Sequence, residues 1–295
     1  MSAPFRLATA AAGDGFEVVV GHAGGVTPLR ALLGAGAAGS MLELFDDWAA
    51  AVAAIGDALA SGAPSVAAPP PALDVPLRFP RKLICIGSNY RAHVEEMRSK
   101  PAQWPYSFVV PPTTTLVPSG ATVALPRGAE QVDWEGEVAI VIGRRARDVA
   151  GAEADAAIGA YGIVNDLSVR DWTGPRRPAV GNDWVVGKAH DGFKPMAPWL
   201  TPAAFVAEPA ALRIRTWVGG ELKQDGSTRD MVFGFRQIVE HLSSVMTLEP
   251  GDVIATGTPA GVGKGSGQFL QPGDLVVVEV DQLGRLETTL TESKR

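Results

Sequence analysis

Asp133-Trp134-Glu135-Gly136-Glu137-Val138-Ala139-Ile140-Val141-Ile142-Gly143 is the stretch on which the reading of this chain turns. Its second half is apolar, rich in β-branched residues and closed by glycine, which predicts a strand with side chains alternating between two faces. The alternation puts Asp133, Glu135 and Glu137 on one face, and Trp134, Val138, Ile140 and Ile142 on the other, toward a core. Carboxylates on such a ridge lie roughly 7 Å apart along the backbone. They raise each other's pKa unless water or a cation intervenes. Oxygen-only ligands suit Mg²⁺, Mn²⁺ or Ca²⁺ rather than zinc. A solvated polar strand face is the alternative reading of the same residues.

The chain has 295 residues, of which 46% are hydrophobic and 20% charged, and a net charge of −6. That length holds a large core, with room for a smaller second unit. The acidic balance argues against nucleic acid or an anionic membrane as partner and favours a small molecule. No run of about 18 apolar residues is present and the N-terminus lacks the form of a signal peptide, so the expected location is cytoplasmic. The single Cys85 lies in the apolar run Leu83-Ile84-Cys85-Ile86 and reads as a buried structural thiol.

Residues 1–75 differ in character from the rest, being alanine-rich and poor in chemistry. Phe16 to Val20 predicts a short strand. Ser40-Met41-Leu42-Glu43 has the form of a capping box opening one helix that runs through Trp48 and Leu59 to Gly62. A proline-rich stretch from Pro64 to Pro80 reads as the linker to a body over 76–295. In the body, short strands alternate with glycine and proline turns: a hairpin over Leu212 to Lys223, and strands launched from Pro250-Gly251-Asp252 and Pro272-Gly273-Asp274. Helices are predicted around Tyr90 to Met97, near Glu153 to Gly159, and from Val232 to Met246. The fold class expected is α+β, mainly β.

Four constellations carry chemistry. In Gly87-Ser88-Asn89-Tyr90-Arg91-Ala92-His93-Val94-Glu95-Glu96-Met97, His93 and Glu96 share a helix face. A carboxylate there fixes the imidazole tautomer and leaves the other ring nitrogen to take a proton from water; an exposed helix with two chance neighbours is the alternative. After the apolar run Tyr161 to Val164, Asp166 at a strand end can complete a metal site with Glu135 and Glu137, and Arg170 can hold a substrate carboxylate. In Gly187-Lys188-Ala189-His190-Asp191, a lysine beside a cation has a lowered pKa and can stabilise an enolate oxygen. Thr256-Gly257-Thr258-Pro259-Ala260-Gly261-Val262-Gly263-Lys264 fails as a phosphate loop, since Thr258 replaces its first glycine and Gly265 follows the lysine. It reads instead as a tight loop whose amides line a small anionic site.

In this order the four segments resemble the fumarylacetoacetate hydrolase family, from about Lys82 to Val280. The resemblance implies a mixed β-sandwich roll with a small N-terminal α/β domain, commonly a homodimer. It assigns Glu135, Glu137 and Asp166 to a site for Mg²⁺ or Mn²⁺, with Ca²⁺ an option, and His93 and Glu96 to water activation. Lys188 matches the active-site lysine and Thr258 the threonine near the substrate carboxylate; Tyr90, Arg170 and Asp191 join Thr258 on the substrate side. Val110, Thr173 and Asp183 depart from the residues common in the family around the distal pocket. The implied reaction is C–C bond hydrolysis of a 2,4-dioxo acid of acylpyruvate type. Alternatives are decarboxylation of a 2-keto diacid, hydration or isomerisation of a 2-hydroxydienoate, or binding without catalysis.

Overall fold

The computed structural model describes residues 3–62, 72–173 and 181–293. Gly136–Ile142 lies at the centre of an eight-stranded sheet. On one side it pairs with Val253–Ala255, followed by Leu83–Gly87 and Tyr106–Val110 at the edge; on the other it pairs with Ile158–Asn165, followed by Lys194–Met196 and Leu116–Pro118. Thr201–Pro202 also pairs with Ile158–Asn165. Parallel and antiparallel pairings mix, as in Leu83–Gly87 beside Val253–Ala255 (parallel) and Val253–Ala255 beside Gly136–Ile142 (antiparallel).

Every residue of the central strand is buried, so its two faces serve two cores. Val138, Ile140 and Ile142 pack with Ile214, Val278 and Leu286 from a five-stranded sheet, and with Ile238, Val239 and Leu242 of the helix Phe235–Val245. Ala139 and Val141 face the opposite way, into a core shared with Leu7, Val20, Phe45, Trp48 and Ile55 of the N-terminal segment. A strand covered on both faces reads as a continuous apolar run rather than an alternation. The fold is thus mixed, mainly β, with two sheets facing each other across the larger core.

The N-terminal strands Arg6–Ala12, Gly15–His22 and Gly25–Pro28 form a sheet of their own. The second half of the proline-rich stretch returns to it: Leu73 bridges Ala10, and Thr9 Oγ1 donates to Pro76 O. Residues 64–71 of the predicted linker lie outside the described residues. The sheet joins the body through backbone bonds between Leu7 and Leu200, and the helical part of the N-terminal segment joins it through Trp48, whose indole Nε1 donates to Gly159 O at 2.8 Å. Gly143 and Gly159 meet beneath that ring so closely that a Cβ on Gly143 would lie 2.6 Å from the Gly159 Cα.

The long N-terminal helix is a correction. Ser40 caps Met41–Leu44, but a 3₁₀ turn over Phe45–Asp47 intervenes and Asp47 caps a second helix, Trp48–Ala60. Asp46-Asp47 places a stronger N-cap inside the periodic run, and the chain restarts there. The strand Arg6–Ala12 was not predicted, because its Leu-Ala-Thr-Ala-Ala-Ala composition carries little β signal.

Candidate active site

The central strand is interrupted where its acids begin. Val132–Asp133 pairs with Ser168–Val169 in a separate two-stranded ribbon, while Gly136 opens the long strand. Trp134 and Glu135 lie between them, so the three acids do not form one ridge, which corrects the simple phase argument. Glu135 and Glu137 still point the same way. The antiparallel register sets Val164 opposite Glu137 and Asn165 opposite Gly136. The next residue, Asp166, then faces Glu135, and its amide donates to Glu135 O at 2.8 Å. Asn165 Oδ1 accepts from the Glu135 amide. Ligand oxygens of Glu135, Glu137 and Asp166 consequently lie within 4.8 Å of one another, all buried.

Three buried carboxylates in that space need positive charge. Lys188 Nζ donates to Glu135 Oε2 at 2.6 Å and to Asp166 Oδ2 at 2.7 Å; Lys194 Nζ lies 2.7 Å from Asp166 Oδ1. Arg170 Nη2 donates to Glu135 Oε1 and Nε to Asp133 Oδ2. Burial opposes the Glu135 charge, but Lys188 and Arg170 outweigh it and bring its pKa down to about 2. Glu137 has no such contact. Burial, then the charges of Asp166 and Glu135, push its carboxyl well above the usual range. A carboxyl in that condition, beside two more oxygen donors, fits a hard divalent cation.

Lys188 is held by the two acids it bonds. Burial works to lower its pKa, but Asp166 and Glu135 outweigh burial and hold it above the ordinary lysine value. Arg170 has two donors committed to Asp133 and Glu135 rather than presented to a substrate. Asp133, fully buried, lies outside the acidic triad and works as a junction. Besides Arg170 it accepts from the amides of Gly263 at 2.6 Å and Lys264 at 3.1 Å.

His93 lies on the short helix Arg91–Glu96 and lines the same cavity, of about 270 Å³, as Glu135, Glu137 and Lys188. Its Nδ1 is 3.2 Å from Glu96 Oε2, and Glu96 Oε1 accepts from the Gly261 amide at 2.9 Å. Burial alone would raise the Glu96 pKa; the bonds from His93 and Gly261 outweigh it and lower the carboxyl below its usual value. The loop after Val253–Ala255 therefore does bind anions, but they are the protein's own side chains. Its amides serve Glu137 (from Gly257), Glu96 and Asp133. Gly257, at φ +95°, is required there, since a Cβ would meet that of Asn89 at 2.7 Å.

Two substrate-side assignments are not met. Tyr90 is fully buried in the core between the sheets, and Asp191 is exposed; neither lines the cavity. Tyr90 instead starts the His93 helix and bridges Met231. Thr258 does line the cavity, its hydroxyl donating to Gly136 O and accepting from Gln224 Nε2. Of the three unusual positions, Thr173 reaches the cavity wall, Val110 is buried and Asp183 caps the helix Trp184–Lys188. Sequence reasoning missed Gln224, Lys194 and Asn89. Gln224 ties Gly136, Thr258 and Pro259 together, and Asn89 holds Phe233 and Thr256. Each is a buried polar residue in an otherwise ordinary strand or loop, and that oddity was the available signal.

Residues 82–291 match the family model described as fumarylacetoacetate (FAA) hydrolase C-terminal. The chain belongs to the fumarylacetoacetate hydrolase family. Within that family it is similar to the oxaloacetate tautomerase YisK of Bacillus subtilis, 38% identical over 223 residues, 74% of this chain and 72% of YisK. The fumarylacetoacetate hydrolase of Exiguobacterium antarcticum superposes with a TM-score of 0.83 at 31% identity, over 98% of this chain and all of that one. The maleylpyruvate hydrolase of Sphingobium sp. SYK-6, solved with manganese(II) and pyruvate, gives 0.78 at 31% identity over the same shares. Members of this fumarylacetoacetate hydrolase family thus differ in reaction on a common scaffold. Among the described residues, no helix is long and apolar enough to cross a membrane.

Proposed function

We propose that this enzyme hydrolyses the C3–C4 bond of an acylpyruvate, releasing pyruvate and a carboxylic acid. The observation that carries the reading is the His93–Glu96 pair opening onto the same cavity as the acidic triad and Lys188. Glu135, Glu137 and Asp166 would hold Mg²⁺ or Mn²⁺; bound there, the ion supplies Lewis-acid polarisation of the 2-oxo acid. Support comes from the Sphingobium hydrolase, whose structure holds manganese(II) and pyruvate.

Glu96 holds the His93 Nδ1 proton, so Nε2 takes a proton from water as it adds to the C4 carbonyl. The C3–C4 bond breaks, its electron pair passing into the enolate of pyruvate, and the acyl fragment leaves as the acid. The Lys188 ammonium faces the charge developing on the enolate oxygen. The proton held by His93 then returns to C3. Thr258 and Arg170 form the wall around the carboxylate end. The proposed working form is a homodimer, supported by the exposed Trp104, Val109 and Val185, and light scattering checks it.

With Mg²⁺ present, acetylpyruvate should yield pyruvate, and His93→Ala should lower kcat by about 10²-fold or more. A variant within about threefold of wild type would remove His93 from the base role. The similarity to an oxaloacetate tautomerase favours one second reading, in which His93 shuttles a proton between C3 and the C2 oxygen without water attack. Loss of the enol absorbance of oxaloacetate, with no pyruvate formed from acetylpyruvate, would select it.

A further inference from the structure

Among the described residues, Arg170, Lys188 and Lys264 are the lysines and arginines lining the cavity. The first two are matched by acids of the site, Arg170 by Asp133 and Glu135, Lys188 by Glu135 and Asp166. Lys264 makes no ion pair with an acidic side chain among the described residues, and its side chain is exposed at the cavity mouth. Its backbone, by contrast, is held on two sides. The Gly263 and Lys264 amides donate to Asp133, and at the next residue the Glu96 carboxyl fills the space where a Gly265 Cβ would stand, 2.4 Å away. The start of the lysine stem is thus fixed relative to both the acidic triad and the His93–Glu96 pair, while its ammonium is unspent. The remaining wall includes Ile86, Met97, Tyr106 and Trp184, with Trp184 Nε1 donating to the Tyr106 hydroxyl. None of these four side chains offers charge to an anion.

A monocarboxylic 2-oxo acid uses its one carboxylate at the triad end and leaves Lys264 unmatched. A second carboxylate at the far end would meet Lys264, the cavity cation that, among the described residues, no acid neutralises. We propose that Lys264 selects 2-oxo acids carrying a second carboxylate remote from the 2-oxo group. This rests on the 2-oxo acid reading of the site and narrows it to diacids. Lys264 touches no reacting atom in this scheme, and its effect falls on KM and on the ratio between substrates.

The test compares succinylpyruvate with 4-methylpentanoylpyruvate, matched in shape but differing in the terminal charge, using the Mg²⁺-loaded enzyme. Lys264→Met should lower the ratio of kcat/KM for diacid over monoacid by about fivefold or more, chiefly through KM, and Lys264→Arg should restore most of it. Calorimetric titration with 2-oxoadipate and 2-oxohexanoate runs alongside and needs no turnover. There too the diacid preference of the wild type should fall about fivefold or more in Lys264→Met. Hydrolysis of neither acylpyruvate by wild type, with the binding preference intact and lost in the variant, would sink the hydrolase reading and keep the role of Lys264. A smaller change than fivefold in both ratios overturns the proposal.

Discussion

Among single residues, Glu137 is the one whose surroundings are least reconciled with its charge. Lys188 and Arg170 satisfy Glu135, Lys188 and Lys194 satisfy Asp166, and Glu137 accepts only from the Gly257 amide among its described bonds. Addition of Mn²⁺ should therefore raise the unfolding temperature with a concentration dependence set by its affinity. Glu135→Gln should weaken that response at least about tenfold in metal concentration. An unfolding temperature insensitive to millimolar Mn²⁺ would remove the metal from this site. Glu96 makes a separate prediction. Its carboxyl lies below the ordinary value of 4.5 in the folded chain, so its stabilising contribution is complete above that value and is lost as pH falls through the lower, folded one. Glu96→Gln should flatten the acid limb of stability against pH, and chemical denaturation between pH 3 and about 6 reads it directly. At this scale the sequence was legible where spacing along one element set the geometry, as for His93 with Glu96, and where residues two apart stayed on one side across a strand's start, as for Glu135 with Glu137. Gln224 and Lys194 act on partners that only the tertiary fold supplies. Tyr90 and Asp191 were placed on the substrate side by the resemblance, which does not say which way a side chain turns.

Elements show why the acidic stretch was read correctly in part. Its period-two phase holds from Gly136 onward because a ladder on both sides enforces it. It fails at Trp134, where the chain leaves one ribbon for another and Asp133 is drawn to the Gly263 loop. No local pattern distinguishes a strand that ends from one that pauses. The helix Phe235–Val245 was easier, since its apolar positions recur at helical spacing and its opposite face is wet. The far end of the central strand makes a sharp prediction. Gly143→Ala drives a methyl into the Gly159 backbone and against Trp48, and the partner is a neighbouring strand that cannot rotate away. Destabilisation of about 1–3 kcal/mol or more is expected, measured by urea unfolding. A loss below about 0.5 kcal/mol would mean that the two strands separate easily at this point.

On the scale of the whole molecule, the central sheet divides the protein into a face that carries chemistry at its end and a face that receives the N-terminal sheet. Cys85 sits inside that second core, fully buried, on a strand between Phe108 and Ala255. Burial pushes its thiol well above the ordinary range, so the folded chain offers a reagent almost no thiolate. Because the chain has one cysteine, any labelling by a thiol-reactive dye has a single source. The molecule thus carries its own clock. The rate at which a disulfide reagent colours the solution counts how often the N-terminal sheet and the central sheet part, without any engineered probe. If the two come apart only when everything unfolds, the opening free energy from labelling will equal that from denaturant; a smaller value will show that the N-terminal sheet lifts off by itself.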